Sequence, residues 1–261
     1  MKKRSSIQIA KAVIFALILR EVRGRFGENR LGAFWFIAEP LAHVAAMMAI
    51  FSILRGTTFH GLEYPVFLVS GVVPFLLFKN MVLKGMEAIN ANKGLFAYRQ
   101  IKPLDTIISR CIVEFMMMAC VYCMIAVGLG IWGGFDVNIH FPLRWTLSIF
   151  VGLVFSFSLA ILFCILGEAL PEVKTFLRLL FMPLYFISAV IFPIWLIPER
   201  FIGYIAWNPY LHIIDSIRSA TFATYPRNPN INLEYPAAVS LVLLAVALFL
   251  YRTKRMRLAS L

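Results

Sequence analysis

With 61% hydrophobic and only 15% charged residues among 261, the composition excludes an ordinary soluble domain, which has roughly 45–50% apolar and about 25% charged residues. Because one membrane span takes about 20 apolar residues, we expect a single transmembrane domain over residues 1–261, with short loops. The net charge of +12 would favour nucleic acid in a soluble chain, but here the basic residues cluster beside apolar segments, which indicates membrane topology and no nucleic-acid partner.

The N-terminal segment, residues 1–33, predicts a helix that lies in the cytoplasmic membrane interface. Basic residues at 2–4 precede a short apolar run at 13–19, as in a signal peptide, but Arg20 and Glu21 stand where a cleavage site would be. The run is also too short to span a bilayer. An amphipathic helix, with apolar stems among the headgroups and basic heads in water, fits this pattern.

Six apolar segments are long enough to span, and the basic residues between them set the orientation. The segments are 34–54, 65–83, 104–132, 143–167, 176–197 and 234–251. Twenty of the 25 lysines and arginines fall on the side of the N-terminus, which predicts a multi-pass membrane protein with both termini in the cytoplasm.

Two connections between spans are long. The cytoplasmic loop 84–103 combines cations with Leu95, Phe96 and Tyr98, an apolar patch that favours docking to another protein, the alternative being contact with the lipid interface. The outer loop 198–233 is divided by prolines, and Trp207-Asn208-Pro209 predicts a helix break. We expect two short helices that re-enter the outer leaflet.

No motif predicts catalysis, a metal or a cofactor in this chain. Gly128, Gly130 and Gly133 have the spacing of a dinucleotide-binding loop, but no strand precedes them, and close helix packing through Gly130 and Gly134 is the preferred interpretation. No Walker A sequence is present, so the chain is not expected to bind ATP by a P-loop. The four cysteines lie in apolar runs, and we interpret them as small hydrophobes.

Two pairs of ionisable residues lie within or beside spans at helical i, i+4 spacing. They are Glu39 with His43 and Arg110 with Glu114. Charges at membrane depth indicate function by default. Pairing within each couple is the structural alternative, and a role in substrate entry or gating is the functional one.

The fifth span carries a stripe of aromatic and hydroxyl side chains. Phe181, Tyr185, Ser188 and Phe192 share one helical face, and Pro183 and Pro193 would bend the helix. Aromatic faces can stack on sugar rings. The alternative is packing against lipid or neighbouring helices.

Five stretches resemble one family in the same order along the chain. They are RFGENRLGAFWFIAEPL (25–41), NKGLFAYRQIKPLDTIISR (92–110), LPEVK (170–174), PLYFISAVIFP (183–193) and WNPYLHIIDSIR (207–218). They are similar to the inner-membrane permease of type-2 ABC exporters, in particular those for capsular polysaccharide in Gram-negative bacteria. Gln100 stands where proline is expected, and Asp215 where glutamate is usual.

This resemblance implies an all-α integral membrane fold of six transmembrane helices, with an N-terminal interface helix over 5–30, a cytoplasmic coupling helix over 88–101 and short periplasmic gate helices over 199–222. It further implies a homodimer of permeases joined to two ATPase subunits, which carry the ATP and magnesium, so that this chain is a transport subunit and not an enzyme. A periplasmic adaptor, an outer-membrane channel, membrane lipids and a lipid-linked polysaccharide substrate are the other implied partners.

The same resemblance assigns candidate residues to four tasks. Those expected to couple to the ATPase are Gly94, Leu95, Phe96, Tyr98, Arg99 and Lys102. Those expected where the acidic substrate enters are Arg20, Arg23, Arg25, Arg30, Trp35 and Glu39. Those expected to line the translocation path are Phe181, Tyr185, Ser188 and Phe192. Those expected to form the periplasmic gate are Trp207, Asn208, Pro209, Asp215 and Arg218.

Other functions remain open at this point. Permeases for O-antigen, teichoic acid or small molecules share the implied architecture. A membrane-embedded glycosyltransferase would need acids or a base converging on one face, and the sequence shows no such cluster.

Overall fold

The computed structural model describes residues 5–27, 30–55, 58–59, 62–98 and 100–259, with side chains described outside 26–33, 35–37, 39, 51–61, 99, 257 and 259. The α-helices are α1 (Ser6–Gly27), α2 (Arg30–Arg55), α3 (Tyr64–Met86), α4 (Pro103–Ile131), α5 (Pro142–Ala169), α6 (Val173–Ile187), α7 (Glu199–Ile205), α8 (Pro209–Thr221) and α9 (Glu234–Ala259). Two 3-10 helices, Asn90–Leu95 and Ile194–Leu196, lie between them. Strands β1 (Thr58–Phe59) and β2 (Leu62–Glu63) form an antiparallel hairpin before α3.

Four described helices are long and apolar enough to cross a membrane: α3, α4, α5 and α9. They coincide with the predicted spans 65–83, 104–132, 143–167 and 234–251, and the all-α membrane fold is confirmed. The count of six spans stays a prediction. Two of the predicted spans coincide with described apolar helical stretches that are shorter than the roughly 20 residues a span takes. In α2 the described apolar stretch is Pro40–Ile50. Helix α6 has only 15 residues, about 22 Å at 1.5 Å per residue.

Helix α3 is the centre of the bundle. In its membrane-length window 83% of residues are buried, against 17% in α9, so α3 packs on protein on nearly every side while α9 stands at the periphery. Helices α3 and α5 approach closely at Gly152, where any Cβ would collide with the ring of Phe78. Small residues permit such close approach in membrane bundles.

The prediction that helices pack closely through Gly130 and Gly134 is wrong. Helix α4 ends at Ile131, and Gly134 lies beyond it with φ of +67°. That backbone conformation suits glycine because it has no Cβ. Gly134 therefore serves the turn after α4 rather than a helix interface.

Polar contacts define the two ends of the bundle. At one end, which we call the α1 end, Arg110 of α4 contacts α1, and the Tyr251 hydroxyl of α9 accepts a bond from the Leu104 amide at 3.3 Å. At the other, which we call the α8 end, the Phe141 amide donates to the Ala220 carbonyl at 2.8 Å. The predicted coupling loop lies at the first end and the predicted gate at the second.

Candidate functional site

An ion-pair network attaches α1 to α4. The Glu21 carboxylate accepts bonds from Arg25 at 3.3 Å and from Arg110 at 3.2 Å, and Arg25 also pairs with Glu114. Of the alternatives left open by the sequence, pairing of Arg110 with Glu114 does not occur, because each bonds across to α1 instead. Glu114 is fully buried, so Arg25 neutralises a carboxylate withdrawn from bulk water.

Arg20 joins α1 to the predicted coupling segment. Its Nη1 donates to the side-chain oxygen of Asn92 at 2.5 Å, and the Asn92 amide donates to the Ala88 carbonyl at 2.7 Å. Of the residues predicted where substrate enters, Arg20 and Arg25 thus bond within the chain and Arg23 is exposed. The side chains of Arg30, Trp35 and Glu39 lie outside the described residues.

The predicted coupling segment forms a surface beside α1. Gly94, Tyr98 and Lys102 are exposed, and Tyr98 is 66% exposed. Leu95 is half-buried, whereas Phe96 packs against the central core. Arg99 lies outside the described residues. The outward aromatic side chain of this segment is therefore Tyr98, and Phe96 fixes the segment to the bundle.

A groove of about 660 Å³ separates α1 from this segment. Val13 and Leu17 of α1 line one wall, and Leu95, Tyr98 and Ile101 line the other. Arg20 stands at its polar border. The surface of the predicted coupling segment is consequently apolar inside and basic at the margin.

The aromatic stripe predicted on one helix is divided by the end of α6. Phe181 is buried, with its ring centroid 6.5 Å from that of Phe75, and Tyr185 lies 5.3 Å from the same ring. The Tyr185 hydroxyl also bonds to Nε2 of His43 at 2.6 Å. Tyr210 of α8 packs on Phe75 at 5.9 Å. Phe181 and Tyr185 thus belong to a packed aromatic cluster that joins α2, α3, α6 and α8.

Ser188 and Phe192 lie beyond α6, in a non-helical segment. The fully buried Ser188 hydroxyl donates to the Leu184 carbonyl at 2.6 Å and accepts a bond from Asn208 at 2.9 Å. Phe192 is half-buried and packs on a small cluster that includes Leu211. The prediction that all four stripe residues share one helical face is wrong, because the helix ends at Ile187.

Arg218 of α8 holds this segment. Its guanidinium donates to the carbonyls of Ala189 and Val190, and its Cζ lies 3.6 Å from the centroid of the Phe67 ring. Ala189 has φ of +52°, a conformation that residues with a Cβ seldom adopt. An arginine at a helix C-terminus also interacts favourably with the helix dipole. The buried cation therefore fixes the segment that follows α6.

Glycine at position 71 makes room for this contact. A Cβ there would overlap Nη2 of Arg218 and would lie 3.0 Å from the Val190 carbonyl oxygen. The Tyr64 hydroxyl donates to the Ile191 carbonyl at 3.1 Å, one residue further on. Gly71 and Tyr64, both on α3, were not singled out from the sequence, since neither belongs to a recognisable pattern.

The predicted gate residues surround the start and the buried face of α8. Asn208 is the N-cap, its side-chain oxygen accepting from the Tyr210 amide at 3.1 Å, and Pro209 takes the first helical position. Asp215 accepts a bond from the Tyr225 hydroxyl at 2.6 Å. Burial raises the pKa of the Asp215 carboxyl, and the Tyr225 hydroxyl and Arg218 oppose that shift.

Trp207 differs from the other predicted gate residues because it is 60% exposed. The helix break predicted at Trp207-Asn208-Pro209 is confirmed, with α7 ending at Ile205 and α8 beginning at Pro209. Four of the five predicted gate residues are thus built into the buried contacts of α8, and the fifth faces outward.

No cluster of three or more His, Cys, Asp or Glu side chains that could hold a metal ion occurs in the part of the chain that the structure describes. Its buried polar groups instead bond helices to one another, as at Arg218 and Glu114.

Comparison with known proteins agrees with this architecture. The family model described as ABC-2 type transporter matches residues 12–222. The chain is 37% identical over 254 residues to the polysialic acid transport protein KpsM of Escherichia coli, covering 96% of each chain. It is 27% identical to the capsule polysaccharide export inner-membrane protein CtrC of Neisseria meningitidis serogroup A, covering 83% of this chain and 82% of the relative. It is 23% identical to the O-antigen export system permease protein RfbA of Klebsiella pneumoniae, covering 92% and 91%.

The resemblance found in the sequence is thereby confirmed. The matched region, residues 12–222, includes most of α1, the coupling segment, the α6 break and α8. The chain therefore belongs to the ABC-2 type transporter family.

Proposed function

We propose that this chain is the inner-membrane permease of an ATP-driven exporter that moves lipid-linked capsular polysaccharide from the cytoplasm to the periplasm. The observation that carries this is the 37% identity to the polysialic acid transport protein over 96% of both chains. The identity spans the coupling segment and α8 alike, so it supports a shared transport function rather than a shared fragment.

The proposed arrangement has six spans and both termini in the cytoplasm. Helix α2 and the segment from α6 to Leu196 supply the two crossings beyond the four long apolar helices. The α1 end then faces the cytoplasm, in agreement with the sorting of basic residues. Two permeases form a homodimer that encloses the path. Two ATPase subunits bind ATP and magnesium, and a periplasmic adaptor and an outer-membrane channel continue the route.

The aromatic cluster is the proposed gate to the path. Phe181 and Tyr185 are packed against Phe75, and Arg218 fixes the segment that follows α6. Export requires this cluster to open, because its rings fill the space between the helices. Helix α3 contacts both ends of the bundle and would transmit motion of the coupling segment to the aromatic cluster.

Deletion of the gene tests the proposed function. Because the capsule polymer is made in the cytoplasm, the deletion strain should accumulate it there and show none at the surface. Staining of surface polymer and gel analysis of cell lysates measure the two pools. The intact gene supplied on a plasmid should restore the surface polymer. Normal capsule with lost O-antigen would instead assign the chain to the alternative that its similarity to RfbA represents.

The coupling surface gives a second prediction. Tyr98→Asp should reduce the amount of ATPase that co-purifies with the permease by about tenfold or more, because an exposed aromatic anchor at an interface contributes about 2 kcal/mol or more. Tyr204→Asp is the matched control, since Tyr204 is 77% exposed on α7. Equal recovery of ATPase with both variants would contradict docking through this segment.

A further inference from the structure

A basic cavity opens at the α1 end of the bundle. Its volume is about 480 Å³, and residues of α1, α2, α3, α4 and α6 line it. Its charged lining residues are Arg25, Lys79, Lys84, Glu87, Glu114 and Arg178. We call this cavity the vestibule. Among the residues that the structure describes, this lining carries four cations and two carboxylates, a balance that favours an anion.

Ion pairs use two of the four cations. Arg25 pairs with Glu114, and Nη2 of Arg178 lies 2.6 Å from the Glu87 carboxylate. Lys79 and Lys84 lack a carboxylate within 4 Å in the described part of the chain. Within the described part of the chain, both ammonium groups are therefore available to a ligand.

The position of Lys79 indicates that its ammonium group binds a ligand. Lys79 is half-buried and lies seven residues before the end of α3 at Met86, about 10 Å inside at 1.5 Å per residue. An unpaired ammonium that is partly withdrawn from water destabilises the fold unless it bonds to something. Such residues in membrane proteins indicate a function. Lys84, nearer the helix end, is exposed and extends the same wall.

We propose that the vestibule binds the phosphate group of a lipid, with Lys79 and Lys84 as the direct donors. Phosphate offers several strong acceptor oxygens, and lysine binds it as a compact point charge. Leu76, Leu83 and Met118 supply an apolar wall beside the two lysines, suited to the first methylene groups of the lipid. Arg25 and Arg178 position the walls through their own ion pairs.

This inference deepens the proposed function, on which it rests for the identity of the transported lipid. It also moves the expected anion site. The sequence placed it at four arginines of residues 20–30, but Arg20 and Arg25 are bonded within the chain. The phosphate belongs either to a membrane lipid or to the lipid end of the glycan, and the recognition chemistry is shared.

Binding to the purified full-length chain in detergent tests the vestibule. The probes are dioctanoyl phosphatidic acid, dioctanoylglycerol, which lacks the phosphate, and inorganic phosphate, with native mass spectrometry as the readout. Phosphatidic acid should bind at least about tenfold more tightly than dioctanoylglycerol, since hydrogen bonds to charged groups contribute about 1.5–3 kcal/mol each. Lys79→Gln with Lys84→Gln should abolish this preference.

Two matched variants separate charge from folding. Arg252→Gln with Lys254→Gln removes two exposed cations of α9 outside the vestibule and should leave the preference intact. Lys79→Arg with Lys84→Arg keeps both charges and should retain most of it. Equal binding of the two lipids by the native chain, or an unchanged preference in the double glutamine variant, would overturn the proposal. Competition by equimolar inorganic phosphate would overturn its lipid part.

An export assay in cells distinguishes the two possible sources of the phosphate. If the glycan's lipid end is the ligand, the double glutamine variant should fail to restore surface polymer in the deletion strain. Restored export together with lost lipid binding would assign the site to a membrane lipid. Normal capsule in the deletion strain itself would refute the proposed function, whereas the binding measurement would still decide whether the vestibule takes a lipid phosphate.

Discussion

Arg218→Met should lower the free energy of unfolding by about 2 kcal/mol. The carbonyls of Ala189 and Val190 would lose their donor, and each unsatisfied buried group costs about 1–3 kcal/mol. Removal of a buried charge relieves some desolvation in return, so the expected net loss lies below the sum of the two. Thermal unfolding of the purified chain in detergent, followed by circular dichroism, measures the change.

Two further variants test whether the contact itself is responsible. Gly71→Ala keeps the arginine but places a methyl group where the guanidinium lies, so it should destabilise the chain in the same direction. Gly24→Ala should be neutral or slightly stabilising, because its Cβ would meet nothing within 4 Å and alanine favours a helix. Arg227→Met removes an exposed arginine and should change stability by less than about 0.5 kcal/mol. Equal losses in Arg218→Met and Arg227→Met would contradict a stabilising role for the bonds from Arg218 to the segment after α6.

The predicted gate depends on the same contact. If Arg218 holds the segment after α6, its loss should also impair export at temperatures where the protein remains folded. Surface polymer measured in the complemented deletion strain reports this. Full export by a destabilised Arg218→Met variant would mean that this contact supports the fold without taking part in gating.

The long apolar helices could be predicted from the sequence because hydrophobicity is a local property of 20 consecutive residues. The end of α6 could not. Residues 183–193 are almost entirely apolar, and nothing in them marks Ile187 as the last helical position. The signal lies about 30 residues later, at Arg218, whose bonds to the carbonyls after α6 replace a continued helix. Only tertiary structure brings the two together.

The ion-pair partners of Arg110 and Glu114 could not be predicted for a related reason. The i, i+4 spacing of Arg110 and Glu114 predicts a bond within one helix, but α1 packs alongside and offers Glu21 and Arg25. In the sequence, Lys79 and Lys84 are two of the positive charges that orient the spans. Their position in one cavity could not be predicted, because five helices pack together to form it. The exposed aromatic side chain at Tyr98 was easier to predict, because an apolar patch among cations in a loop between spans is visible in sequence.

Arg25→Met should lower the free energy of unfolding by about 3–5 kcal/mol, a larger loss than that expected for Arg218→Met. Glu114 is fully buried, and its carboxylate would remain without the cation that neutralises it. Unfolding in detergent measures the loss, and Arg23→Met on the exposed side of α1 is the control, with an expected change below about 0.5 kcal/mol.

Combining Arg25→Met with Glu114→Met should restore most of that stability, since an apolar pair of similar volume avoids the desolvation of both charges. The coupling between the two substitutions, obtained from the double-mutant cycle, should therefore be well above the error of such cycles, about 0.5 kcal/mol. Additive losses would show that the two residues do not act as a pair. Export by the double variant then separates anchoring from recognition. Because Arg25 is bonded to Glu114 and Glu21 in the folded chain, we expect restored stability to bring restored export, and export that stays lost in a stable double variant would give Arg25 a direct part in receiving the substrate.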